Sequence, residues 1–193
     1  MHDLLKHNNP ELDQYIYAGV TLSNVEIDLA VKNAAHSFSS CTIENSIVRV
    51  NSDSKATPYM LNGNVWKNCT FIPKRELSLA TVMADFINCT FHGKWSGRID
   101  GVVNGCDFSD SELVNFAFYN STGCIFPNTN TIVINDAGKH NSEIKALLKG
   151  ISNIGLHIRP ELKQFAFSLE KQKKKSEVSK ILGTLDYVQL PKA

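Results

Sequence analysis

The sequence predicts a mainly β fold, a parallel β-helix (solenoid) of about six coils followed by a C-terminal helical tail. Three observations predict it. A three-residue phrase headed by a small residue returns at a spacing close to twenty, a finer beat of five runs inside it, and after Gly138 the beat gives way to helical spacing. On this division residues 1–138 form the β-helix and residues 139–193 the tail.

The five cysteines carry the coarse period. Each opens a phrase: Cys41-Thr42-Ile43, Cys69-Thr70-Phe71, Cys89-Thr90-Phe91, Cys106-Asp107-Phe108 and Cys124-Ile125-Phe126, in steps of 28, 20, 17 and 18 residues. Val20-Thr21-Leu22 extends the series by a step of 21. The finer beat is clearest where Cys106-Asp107-Phe108-Ser109-Asp110 is followed by Ser111-Glu112-Leu113-Val114-Asn115 and then Phe116-Ala117-Phe118-Tyr119-Asn120, with Phe108, Leu113 and Phe118 in the same place. These pentads resemble the pentapeptide-repeat family, and the resemblance covers residues 18–135, with departures at 51–64 and 72–83.

The resemblance implies a right-handed quadrilateral parallel β-helix, of which this chain is an irregular member. Small and large side chains point inward, polar ones outward, and strands stack at ~4.8 Å so that each coil pairs the backbone of the next. Cys41, Cys69, Cys89, Cys106 and Cys124 are then an interior ladder of free thiols. Side chains in parallel register do not offer the crossed geometry of a disulfide, and a file is the wrong shape for tetrahedral zinc. Neither a metal nor any other cofactor is expected. Asn68, Asn88 and Asn120 begin formal glycosylation triplets, but asparagine before a strand reads as a turn residue.

In the tail, Ser142 is placed to cap a helix bearing Ile144, Leu147, Leu148 and Ile151. Pro160 suits the first turn of a second, with Leu162, Phe165, Ala166 and Leu169 on one stripe. Ser176 would cap a third, with Val178, Ile181, Leu182 and Leu185. Helices this short need a surface to lie on. They cap the open end of the β-helix, or, as the family's dimerisation through C-terminal ends implies, Leu162, Phe165, Leu169, Ile181, Leu182 and Leu185 form a homodimer contact.

With 42% hydrophobic and 20% charged residues, the chain has the composition of an ordinary folded protein. Its charge is divided: residues 139–193 hold eleven Lys/Arg against five Asp/Glu, net +6, and residues 1–138 hold nine against fourteen, net −5. The first residues lack the apolar run of a signal peptide and no stretch has the length of a membrane span, so the expected compartment is cytoplasmic and no membrane partner is expected. Nucleic acid is not the expected partner either, since the run Lys171, Lys173, Lys174 and Lys175 reads as a solvated face.

No phosphate-binding glycine loop or metal-binding histidine pair is found, and Gly97, Gly101 and Gly105 read as corners. Asp85, Asp100, Asp107 and Asp110 are the carboxylates a polysaccharide-cutting β-helix would use, though Asp85 and Asp107 hold the polar place before a core Phe. The expectation is therefore a non-enzymatic interaction protein whose rigid surface binds a protein partner, most concretely an immunity or inhibitor protein that neutralises a toxin or enzyme. Trp66 and Trp95, off the beat, with Arg98, Asp53 and Lys55, are the candidate partner-binding residues. Two alternatives are a DNA mimic directed at a topoisomerase, which the resemblance implies, and a carbohydrate-active enzyme.

Overall fold

Short strands interrupted by sharp corners force this backbone to wind. The structure, a computed structural model, describes residues 15–28, 36–50, 61–151 and 159–192. Between residues 17 and 122 the chain is a β-solenoid of about four turns. Fewer turns form than the six marks suggest, because six marks delimit five intervals and the last is incomplete: after Cys124 a lone bridge, Asp107 to Ile125, continues the stack.

Three files of parallel strands make the walls. The first holds β1 (Tyr15–Ala18) and β4 (His36–Ser39). The second runs through β2 (Thr21–Ser23), β5 (Thr42–Glu44), β7 (Val65–Lys67) and β10 (Asp85–Ile87). The third runs through β3 (Glu26–Asp28), β6 (Ile47–Val50), β8 (Thr70–Pro73) and β11 (Thr90–Phe91). Beyond these, β9 (Leu77–Val82) and the long β12 (Gly93–Asn104) and β13 (Ser111–Thr122) form a further wall. Strand β12 shifts register twice, which lets its beginning pair with β9 and its end with β10. Along the second file the paired residues are Leu22, Ile43, Trp66, Phe86 and Val103.

The pentad explains the interior. In the third file Phe71 stacks on Phe91 at 4.9 Å, Phe91 on Phe108 at 4.5 Å and Phe108 on Phe126 at 5.9 Å, all near parallel. Those spacings follow the ~4.8 Å rise from strand to strand. Trp66 and Phe86 meet this column edge-on. Each buried ring contributes about 1.5–3 kcal/mol, so the aromatic column carries a large share of the core.

The corner between the second and third files turns on Asn24, Asn45, Asn68 and Asn88, all at φ between 50° and 57°. Asparagine tolerates this left-handed conformation better than most residues, so Asn68 and Asn88 serve as turn residues. Asn68 also donates its side-chain amide to Asn45 at 3.2 Å. In the next turn Gly105 takes the corner, where a Cβ would lie 2.4 Å from the Asn88 side-chain oxygen. Asn120, by contrast, lies within β13.

The cysteine ladder needs one correction. Backbone bonds from Thr70 to Ser46, Thr90 to Cys69, Asp107 to Cys89 and Ile125 to Cys106 define a file Ser46, Cys69, Cys89, Cys106, Cys124. Cys41 belongs to the neighbouring corner, since Val65 bonds to Cys41 and Asp85 to Asn64. The 28-residue step is thus one turn plus one pentad, and Ser46 occupies the rung expected of Cys41.

After the solenoid the chain reverses. Strands β14 (Thr131–Asn135), β15 (Gln164–Ser168) and β16 (Val188–Gln189) extend the sheet antiparallel, in the order β16, β14, β15, β13. The predicted second helix, with Leu162, Phe165, Ala166 and Leu169 on one stripe, is instead β15 and its flanks, paired to β13 from Asn115–Phe167 to Phe118–Gln164. The open edge of β13 supplies backbone partners that outweigh the helical pattern. Ala166 and Val133 face the solenoid core, while Phe165, Phe167, Ile132 and Ile134 face a second core.

Two short helices, α1 (Asn141–Leu147) and α2 (Lys175–Leu182), cover that second core with Ile144, Val178 and Leu182. Ile181 and Leu185 pack at its margin. Neither predicted serine caps: His140 and Lys174 hold the cap positions, without a side-chain cap bond. Strand β14, in the predicted body, pairs with the tail. The end of the solenoid is therefore covered by a strand of the tail, with the helices one layer behind it.

Candidate functional site

The wall of β9, β12 and β13 collects charge on its outer side. Lys94 and Glu112, one repeat apart in register, form an ion pair at 2.7 Å. Arg98 lies 3.3 Å from Asp100 and 5.9 Å over the Tyr119 ring. All four charged side chains are only 21–34% exposed, their stems lying along the paired strands. The Glu112 carboxylate beside Lys94 raises the lysine's pKa above its ordinary value.

Where this wall meets the third file, a groove of about 640 Å³ opens between the Pro73–Glu76 corner and the Ser109–Ser111 turn. Lys94 and Glu112 line it with Gly93, Asp110 and Thr129. The wall and groove together form a surface of mixed charge whose ion pairs sit on β12 and β13, each hydrogen-bonded on both sides.

The structure redistributes the residues expected to bind a partner. Trp66 and Trp95 are fully buried, which is a correction: neither indole is a binding surface. Trp66 fills the second-file core position and donates Nε1 to the Leu61 carbonyl at 3.3 Å. Trp95 packs edge-on to Phe91 and donates to His92 at 2.7 Å. Each stands at a core place of its wall, Trp66 between Ile43 and Phe86 and Trp95 between Leu77 and Leu113. Arg98 is on the wall. Asp53 and Lys55 lie outside the described residues, as does most of the predicted 51–64 loop.

The four aspartates are not brought together. Asp85 accepts the Val102 amide at 2.8 Å and Asp107 the Ser109 amide at 2.8 Å, so both shape the backbone. Asp100 pairs with Arg98, and Asp110 faces His92 at 3.8 Å. Elsewhere His140 stacks on Tyr187 at 3.6 Å, and Tyr187 donates to Glu143 at 2.8 Å. Burial and that carboxylate push the Tyr187 phenol up.

Each ladder thiol donates to a carbonyl of the turn below: Cys69 to Ile43 at 3.4 Å, Cys89 to Trp66 at 3.3 Å, Cys106 to Phe86 at 3.3 Å and Cys124 to Val103 at 3.5 Å. Cys41 does the same toward Tyr17. Flanked by the sulfurs of Cys106 and Cys69 and buried, Cys89 is held well above the ordinary thiol range. Burial pushes Cys124 up to about 11. Among the described residues all five are free thiols.

Sequence reasoning overlooked Lys94 and Glu112. The signal was opposite charges one repeat apart, and the same signal marks Glu44 and Lys67, paired at 3.1 Å across one turn. Comparison with protein-family models, with curated proteins and with solved structures found no match.

Proposed function

We propose that this chain is a binding protein, an irregular pentapeptide-repeat solenoid that presents its charged wall to a protein partner, most concretely as an immunity or inhibitor protein toward a toxin or enzyme. The observation that carries the reading is the pair of half-buried ion pairs, Lys94–Glu112 and Arg98–Asp100, seated on strands bonded to neighbours. Side chains already held against a sheet lose little freedom when a partner arrives, so more of the contact energy appears as affinity. Mixed charge on such a surface favours specificity and a fast encounter.

The test begins with the tagged chain as bait in cells of its source, followed by titration of the captured protein with purified wild type. Replacing Ser96 by Arg and Arg98 by Glu on the wall should weaken that complex by at least about 100-fold, the effect of a misplaced charge in a contact centre. Unchanged binding by this variant would remove the wall from the interface. Capture of a topoisomerase would turn the reading to DNA mimicry. Polysaccharide turnover lost on Asp100→Asn would turn it to an enzyme.

A further inference from the structure

We propose, resting on the partner-binding reading above, that the groove receives a basic side chain of the protein partner, an arginine or lysine, at Glu112. The charges that line it pair off unevenly. Of the cations, Lys94 is committed to one Glu112 oxygen at 2.7 Å, Arg75 is already engaged, and Lys74 is exposed on the rim. Of the anions, Asp110 is 75% exposed and, among the described residues, faces the imidazole of His92 at 3.8 Å. Glu76 is exposed on the same rim. The remaining Glu112 oxygen is buried and accepts no hydrogen bond among the described residues. Against the single Lys74 ammonium, the groove thus sets Asp110, Glu76 and the second Glu112 oxygen as acceptors.

A carboxylate oxygen shut away from donors is costly, and a charge-assisted bond from a guanidinium or ammonium relieves it. The terminal torsion of a glutamate is soft, so the carboxylate can turn toward the groove, exchanging its Lys94 contact for the incoming donor. Ser109, Ser111 and Thr129 add hydroxyls along the same trough, which suits the several donors of an arginine. The Lys94 ammonium competes for the same carboxylate and sets a modest intrinsic affinity.

The test uses the full chain and two tripeptides, Gly-Arg-Gly and Gly-Asp-Gly, followed by amide chemical shifts. Gly-Arg-Gly should move the amides of Gly93, Ser111 and Glu112 saturably. Glu112→Gln, which keeps the shape, should weaken that binding about tenfold, in line with the loss of a charged acceptor. Lys94→Met should tighten it about threefold by removing the competing cation. Equal shifts with Gly-Asp-Gly, or indifference to Glu112→Gln in a variant whose spectrum shows it folded, would overturn the proposal. A partner lost on the Ser96/Arg98 double substitution but kept by Glu112→Gln would overturn it while leaving the wall as the interface.

Discussion

Gly97 sits in the middle of β12 at φ +111°, where a Cβ would fall 1.6 Å from the Leu79 carbonyl oxygen. Glycine is required there both for the dihedral and for the close approach of β9. Gly97→Ala should therefore cost more than about 3 kcal/mol in urea unfolding, well above an ordinary exposed substitution. The thiol ladder makes a second residue-level prediction. Since the Cys124 pKa rises from 9.0 to about 11 on folding, its neutral form is the one the fold prefers. Its stabilising contribution is complete below pH 9 and is lost as pH climbs toward 11, so the melting temperature should fall across that window and Cys124→Ser should flatten the fall. Cys69, Cys89 and Cys106 should resist alkylation at neutral pH until the protein unfolds, and rapid labelling in the native state would contradict their burial.

At the scale of elements, β15 is the instructive one. Phe167 is fully buried in the second core, and Phe167→Ala should destabilise the protein by about 3–5 kcal/mol. Ala166→Pro, at a strand paired on both sides, should strip protection from the amides of Asn115–Phe118 in hydrogen exchange while leaving β7 and β8 protected. This is also where the sequence was hardest to read. The stripe Leu162, Phe165, Ala166, Leu169 satisfies helical spacing but leaves Phe167 on the wrong side, and Phe165-Ala166-Phe167 alternates as a strand does. No local pattern revealed that β13 offered an open edge. The solenoid, by contrast, was legible because its core repeats: small residues and rings return every turn, and Asn marks the corner. The wall was half legible, since Arg98 stood out, whereas Lys94 and Glu112 matter only once the register brings them together. Trp66 and Trp95 misled because size alone does not say which way a side chain points.

For the whole molecule, every parallel contact joins residues one turn apart, so no strand is stable before its neighbours form. The first turn, β1 to β3, pairs on one side only among the described residues. Hydrogen exchange should thus be slowest in β7, β10 and β12 and fastest in β2 and β3, and a reversed gradient would argue against stacking as the source of stability. The register also shows turns of unequal length, since Thr42 follows Thr21 by 21 residues, Val65 follows Thr42 by 23, and Val103 follows Phe86 by 17. Between β12 and β13 the mismatch is absorbed inside the wall itself, at the two register shifts.

Because β15 runs against the direction of the strand it meets, it acts as a terminus that no further parallel lap can extend. The number of laps before it is under no such restriction. Duplicating a lap in the interior would present each new strand with the same kind of neighbour above and below, and would lengthen the wall by ~4.8 Å without disturbing the closure. In this architecture the reach of the binding surface is a dimension that gene duplication can set, while the reversed strand fixes where it stops.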